Sequence, residues 1–317
     1  MTTGFEIVAR RPMLIVIPLL LDLFLWLGPR LSLAPIFQEY NQMVAQVPDL
    51  ELMEAYALFQ SIAAEVSARF NLFAALIPGP FLGLPSLMAG QMTLERPFGI
   101  RPEMLVGSSG LALFYAALLS VIGMGINAVY LRLVGNSIID ETEIPLPGPG
   151  NPAHIWGNLI QFALILMGLL FVAGLPLLCL VGVLSMIAPS IAMFVMMMLS
   201  SLILFVGFHL LFVIPGIVQL RRLPLHAIRD SILITRTDFM GSVGLLITIA
   251  VVSQGLSFVW TLPEPTSWAT VIGLGGHAFI GSALTAALFV FYQERLSFLE
   301  ILNQAYVPKP APVDPLG

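Results

Sequence analysis

Residues 155–220 read IWGNLIQFALILMGLLFVAGLPLLCLVGVLSMIAPSIAMFVMMMLSSLILFVGFHLLFVIPGIVQL. A helix needs about 20 apolar residues to cross a bilayer, and this stretch holds two such runs, 155–184 and 190–220. Only a few residues around Ala188-Pro189-Ser190 separate them, so the two crossings form a tight antiparallel hairpin. The rest of the chain has the same character. Of its 317 residues, 58% are apolar and 10% charged, with mean hydropathy +0.96. A soluble domain carries about a quarter charged residues, so this composition cannot clothe a water-facing surface. It excludes a soluble enzyme, a nucleic-acid reader and a disordered tail as readings of the whole chain.

Working outward, four further runs are long enough to span: 13–37, 104–133, 239–262 and 269–292. The first follows Arg10 and Arg11 and resembles a signal peptide. Asp22 interrupts its apolar centre, however, and Pro35 blocks cleavage after Ser32 and Ala34, so it reads as a retained anchor. The fold class is therefore all-α, a polytopic membrane bundle of about six spans. Basic residues set its orientation. With the N-terminus inside, Arg10, Arg11, Arg132, Arg221, Arg222, Arg229, Arg236, Arg295 and Lys309 are cytoplasmic. Arg30, Arg69, Arg96 and Arg101 fall outside, mostly in one long loop. Lys309 is the only lysine, and arginine usage this heavy suits a GC-rich bacterial genome. The expected location is a bacterial inner membrane, with both termini cytoplasmic.

The connections carry their own signals. The last two spans form a hairpin turning at Pro263-Glu264-Pro265, and a stiff linker, Pro145 to Pro152, joins the second and third. A cytoplasmic connector covers 221–238 and a Pro-rich cytoplasmic tail covers 293–317, whose last ten residues are expected to be disordered. No internal repeat of the kind many transporters show is visible. Residues 38–103 form an extracytoplasmic insert. There Leu52, Tyr56, Phe59, Ala63, Val66, Phe70, Phe73 and Ile77 alternate steps of four and three, which predicts one amphipathic helix capped by Asp49 and ended by Pro78-Gly79-Pro80. A shorter amphipathic piece, Ile36, Tyr40, Met43 and Val47, precedes it. The broken apolar run Phe81 to Met88 suits a segment lying among lipid headgroups. The insert serves either as a cap on the bundle or as a docking surface for a partner membrane subunit.

Polar residues inside spans are costly and therefore informative. Asp22 at mid-span costs about 3 kcal/mol on insertion scales. It reads either as a polar lock on a neighbouring helix or as a proton- or cation-coupling carboxylate, within reach of a water-linked pair with Arg30. His277 shares a ridge of small residues with Gly273, Gly281 and Thr285, so it should face another helix. His209 has aromatic neighbours and no such groove. Two further stripes, Ala112-Ala116-Ser120-Gly123-Asn127 and Ala250-Gln254-Ser257-Thr261, either pack inward or line a wet cavity. Asp22, His277, His209, Gln254 and Asn127 are the candidate intramembrane polar site. On the cytoplasmic connector, Arg222, Arg229 and Arg236 recur every seven residues, with His226 between, as a candidate stripe for anionic lipid headgroups.

Catalytic patterns are missing. There is no HExxH motif, nucleophile elbow, Walker A loop or CxxC pair, and the lone Cys179 permits no intrachain disulfide. The methionines Met193, Met196, Met197 and Met198 read as adaptable packing. No enzyme, cofactor, metal or nucleic-acid partner is expected.

Ala227-Ile228-Arg229-Asp230-Ser231, Thr235-Arg236-Thr237-Asp238-Phe239, a two-span hairpin and Phe291-Tyr292-Gln293-Glu294-Arg295 together resemble the C-terminal part of a bacterial group. That group is the six-helix membrane domains found alone or attached to glycerophosphodiester phosphodiesterases. The resemblance covers about a quarter of the chain and implies a polytopic bundle, without carrying over active-site residues. The long outer insert departs from the group's compact pattern, and no phosphodiesterase domain is present. The sequence favours a non-enzymatic scaffold or accessory subunit surrounded by membrane lipids. The alternative is a small permease in which Asp22, with His277, couples to protons or cations.

Overall fold

The computed structural model describes residues 2–44, 54–77, 83–91, 95–99, 101–141 and 147–306, with side chains omitted at 54–59 and 299–306. The architecture is an all-α membrane bundle. Five stretches are long and apolar enough to cross a membrane, at Ser109–Ile139, Pro152–Ile187, Pro189–Gln219, Phe239–Trp260 and Thr270–Phe298, and a shorter apolar helix, Met13–Leu27, joins them. The elements in order are α1 (Thr2–Arg10), α2 (Met13–Leu27), β1 (Arg30–Ser32), α3 (Ala34–Val44), α4 (Glu54–Arg69), β2 (Glu103–Leu105), α5 (Ser109–Ile139), α6 (Pro152–Leu169), α7 (Leu175–Ile187), α8 (Pro189–His209), α9 (Val213–Gln219), α10 (Pro224–Thr237), α11 (Phe239–Trp260) and α12 (Thr270–Tyr306).

The first span is shorter than its apolar run implied. Fifteen residues rise about 22 Å, against a hydrocarbon core of about 30 Å. Gly28 turns extended and Pro29 disfavours helix before it, so α2 stops at Leu27 instead of reaching residue 37. The chain then forms β1, which pairs in parallel with β2, Arg30 opposite Glu103 and Ser32 opposite Leu105. This two-stranded clip ties the exit of α2 to the approach of α5. The carbonyls left free at the end of α2 are met by guanidinium groups. Arg96 donates to the Leu27 carbonyl at 3.0 Å, and Arg101 to those of Gly28, at 3.0 Å, and Leu25. Burial, together with Arg30 and Arg96 near by, lowers the Arg101 pKa from its ordinary value.

The bundle is dense on the side that holds the N-terminus and the C-terminal ends of α5 and α12, called here the terminal side. Tyr130, Leu131, Val134, Ile138, Ile155, Leu159, Val213, Ile217 and Phe289 form one core there, joined by Ile7 and Val8 of α1. Sequence periodicity had not singled out α1. It seats against α12 so closely that a Cβ on Gly4 would come within 2.5 Å of the Ala283 carbonyl, so only glycine fits. Exposed ion pairs Arg10–Glu141 (2.7 Å) and Arg11–Asp140 (2.8 Å) join its exit to the end of α5. Such pairs each contribute at most about 1 kcal/mol.

Prolines explain most of the irregularities within the spans. Pro18 has no N–H, so the Leu14 carbonyl loses its helical donor. The Ser282 hydroxyl of α12 supplies one at 3.2 Å and itself accepts from the Tyr130 hydroxyl at 3.2 Å. The chain from Pro152 to Ile187 passes through a π-helical turn, Leu170–Gly174, just before Pro176, the usual accommodation of an interrupted ladder. Between α8 and α9 the helix breaks at 210–212, ahead of Pro215. Ser231 of α10 bridges the break, donating to the His209 carbonyl (2.6 Å) and accepting from the Phe212 amide (3.1 Å).

The insert between the first two spans departs most from the sequence reading. Instead of one continuous helix to Ile77, α4 ends at Arg69. Asn71 then caps a 3-10 turn, Leu72–Leu76, and its Oδ1 also accepts from the Leu31 amide at 3.0 Å. Arg30, 6% exposed, holds the junction by donating to the Ser67 carbonyl (2.7 Å) and the Phe70 carbonyl (3.1 Å). The 3-10 turn descends along α5. The Leu76 carbonyl lies 2.0 Å from where a Cβ on Gly123 would sit, about 21 Å along α5 from its start. The described part of the run expected among the headgroups, 83–88, passes back through the bundle together with the turn that follows it. Gly83, at φ +90°, faces Leu131 and Ile214, and Pro85 occupies the space beside Gly281. Leu87 and Met88 pack with Leu25, Trp26 and Leu274. The described arms of the insert are thus re-entrant. Apolar side chains, hydrogen bonds from the Leu87 and Met88 amides to α2 and one from α12 to the Gly83 carbonyl make this possible, because irregular backbone at membrane depth survives only when buried in protein or lining a cavity. The expected Asp49 cap, Leu52 and the Pro78-Gly79-Pro80 stop lie outside the described residues, as do Val47, Pro145 and the tail from residue 307. The side chains of Tyr56 and Phe59 are likewise not described.

Candidate functional site

Asp22 lies fully buried in α2, and its partners are the returning arm of the insert. Its carboxylate accepts from the Ser86 hydroxyl, the Leu87 amide (2.9 Å) and the Met88 amide (3.1 Å). These are the donors that a short turn, Met88–Gly90, would otherwise leave orphaned in the apolar interior. Ser86 also accepts from the Ala89 amide at 3.1 Å. Asp22 therefore acts as an N-cap supplied from a neighbouring helix. Arg30, considered above as a water-linked partner of Asp22, has its side chain committed to Ser67, Phe70, Ser32 and, at 3.8 Å, Glu103.

Beyond Ser86 the arm walls a cavity of about 680 Å³. Its other walls come from α11 (Ile249, Ser253, Gln254, Ser257), α12 (His277, Gly281, Thr285, Leu288) and the α8–α9 break (Leu210, Leu211, Ile214). The polar groups sit at particular places. Thr285 donates to the Gly83 carbonyl at 3.1 Å and to its own Gly281 carbonyl at 2.9 Å, which fixes the arm against α12. Ser257 bonds back to the Ser253 carbonyl at 2.6 Å. Gln254 and His277 line the cavity with no side-chain hydrogen bond among the described residues. Among the described residues no carboxylate, ammonium or guanidinium lines it.

The cavity has an unwalled side. None of its described lining residues comes from α8. The aromatic contact between α8 and α11, Phe208 with Phe239 at 5.5 Å, lies at the terminal-side ends of both helices. Toward the insert side α7 and α8 pack on each other, and their other faces stand exposed: Leu178, Val183, Met193, Met197 and Leu204 are each at least half exposed. α7 and α8 make little contact with α11, so in a bilayer lipid would fill the cleft between that pair and α11.

The sequence-derived candidates therefore separate. His277 and Gln254 share the cavity, and Asp22 supports its wall from behind. Asn127 is fully buried in α5 away from the cavity. His209 also lies elsewhere, its ring 2.9 Å from the Phe205 carbonyl and packed against Phe205 and Phe208. Asp22, His209 and His277 therefore do not converge on one site. The small-residue stripe on α5 has a specific use: Ala112 and Ala116 pack with Leu72, Leu31 and Val106, and Gly123 admits Leu76. The stripe on α11 contributes Gln254 and Ser257 to the cavity. Sequence reasoning missed Ser86, Ser253 and the arms themselves. The available signal was a segment too broken to span yet too apolar for water, matched by a small ridge on α12 with no assigned partner.

Among the described residues no group of three His, Cys, Asp or Glu side chains could hold a metal ion. No protein-family model, curated protein or solved structure matches the chain.

Proposed function

We propose that this integral membrane protein is a small carrier that binds an uncharged amphiphile taken sideways from the bilayer. The observation that carries the reading is the cavity behind the re-entrant arm, which combines Gln254 and His277 with an unwalled side toward lipid. Two unpartnered hydrogen-bonding groups at membrane depth suit a ligand that brings its own donors and acceptors. Lining without charge favours a neutral head, and the apolar cleft above favours an acyl or prenyl chain. A volume of about 680 Å³ lies in the range of small-molecule sites. Broken elements beside a mid-membrane site are also common in transporters. In this reading Asp22 positions the wall of the site and does not exchange protons with the substrate.

The test uses the full-length protein in phosphatidylcholine vesicles with a diazirine-tailed monoacylglycerol as probe. The expected result is photolabelling of peptides covering 249–257 and 277–285. Unlabelled monoacylglycerol should suppress it, and the double substitution Gln254→Leu and His277→Leu should weaken it about fivefold or more, as loss of a hydrogen bond or two implies. Labelling confined to the outer faces of α7 and α8, unchanged in the variant, would overturn the reading.

The bare α7–α8 pair favours a second reading, the scaffold or accessory subunit, in which a partner's membrane helix covers that hairpin. A partner that remains bound in mild detergent and is released by Met193→Arg would support it. The exposed Tyr40 and Met43 of α3 give the outer insert a smaller surface of the same kind.

A further inference from the structure

α10 connects the terminal-side ends of α9 and α11, and it has two unlike faces. Pro224, Ala227, Ser231, Ile234 and Thr235 are buried against the bundle. The opposite face carries His226, Arg229, Asp230, Leu233 and Arg236, which with Arg222 just ahead of the helix line a groove of about 490 Å³. Arg222 is neutralised in part by Asp230 at 3.2 Å. Arg229 and Arg236 have no ion-pair partner among the described residues. The next acidic side chain, Asp238, is taken by Arg295 at 2.7 Å. Leu223, Leu225 and Leu233 meanwhile stand 54%, 64% and 53% exposed.

We infer that the exposed face of α10 is a binding site for an anionic phospholipid, whose phosphate is held by Arg229 and Arg236 while Leu225 and Leu233 enter the acyl region. The mixture of residues selects this ligand. A site for a soluble phosphate needs the guanidinium groups but gains nothing from exposed leucines. A helix lying in a headgroup layer uses both, with its arginines at phosphate level and its leucines below. The position of α10 between two span ends puts it at that level. This inference is independent of the cavity.

The experiment measures lipid retention on the detergent-solubilised full chain by native mass spectrometry. Phosphatidylglycerol and phosphatidylcholine are offered at equal concentration, with inorganic phosphate as a competitor. Phosphatidylglycerol should be retained preferentially. Arg229→Gln with Arg236→Gln should weaken that retention about 30-fold, the product of two headgroup contacts, and raised salt should weaken it further. Leu225→Ser with Leu233→Ser should reduce retention while leaving the preference for the anionic lipid. Both variants alter exposed side chains, and unchanged unfolding temperatures in phosphatidylcholine would show that the fold is intact. Equal retention of the two lipids, or retention unaffected by the arginine substitutions, would overturn the inference. Competition by inorganic phosphate would assign the site to a soluble anion and would also overturn it.

Discussion

The terminal-side half and the insert-side half of this bundle are built from similar residues in opposite ways. On the terminal side, α1, α5, α6, α9, α10 and α12 interlock around side chains such as Phe162, Ile217 and Phe289, each at most 1% exposed. Among the five long spans described, the chain from Pro152 to Ile187, which leads to the insert side, contains the most apolar window, yet only 6% of that window is buried, whereas the least apolar window, in α12, is 50% buried. Hydropathy marks what lipid will accept, and it does not mark what protein will cover. Without a hydrophobic drive between helices, close packing in a membrane is made by small residues and internal hydrogen bonds. Those are what the dense half has: Gly4 on Ala283 and Ala287, and Tyr130 through Ser282 to Leu14.

The re-entrant arms mediate between the two halves, and Asp22 is where the comparison breaks most easily. Asp22→Ala would leave the Leu87 and Met88 amides and the Ser86 hydroxyl without their acceptor. The expected cost is about 3 kcal/mol, counting part of the desolvation of each group, and Asp22→Asn should recover some of it. Unfolding in mixed micelles would measure both. Asp22→Ala behaving like wild type would mean that the arm does not depend on this cap.

Next in size is the contrast between the halves themselves. Phe162→Ala on the terminal side should cost about 2 kcal/mol, the cavity part of what a soluble core loses. Phe171→Ala on the insert side, where the ring is 70% exposed, should change stability by less than about 0.5 kcal/mol. Equal costs would mean that a partner covers α7 and α8 in the membrane, which is the scaffold reading.

The smallest effect is the sharpest in logic. Ser282→Ala should cost about 1 kcal/mol by leaving the Leu14 carbonyl without a donor. In a Pro18→Ala background the restored amide at residue 18 can reach Leu14, so the same substitution should cost less. A double-mutant cycle should give a coupling of about 0.5–1 kcal/mol. Strict additivity would show that Ser282 does not substitute for the amide that Pro18 lacks.

These effects also show what could be read in the sequence. Span number and type were legible, because 155–220 and the four other runs are defined by length and apolarity. The small ridge at Gly273–Thr285 was legible as a close-packing face, and the stripe Ala112–Asn127 as one that either packs inward or lines a cavity, but not their partners. The π turn before Pro176 and the halt of α2 at Gly28-Pro29 follow local rules once placed. The re-entrant arms were not legible. Phe70, Phe73 and Ile77 continue the spacing of α4, and nothing local says that the helix ends at Arg69 and that these residues follow another path. Arg30 reaching the Ser67 and Phe70 carbonyls and Asn71 reaching Leu31 make that decision, and both are long-range contacts. For the same reason Asp22 could be recognised as costly without its donors being identifiable, since they lie about 65 residues away on a backbone with no helical pattern. His277 and Gln254 could be named singly, but their common cavity depends on the arm that walls it.

The most direct test of this account is whether residue 85 lies inside the bundle against α12. A cysteine-free background made by Cys179→Ala would carry Pro85→Cys, treated with a membrane-impermeant maleimide on membranes opened to both sides and again after denaturation. A re-entrant arm, with residue 85 seated beside Gly281, predicts that residue 85 resists the reagent in the folded protein and reacts once the protein is denatured. Ready labelling of residue 85 in the folded protein would place the arm at the surface and contradict both the re-entrant fold and the cavity built on it.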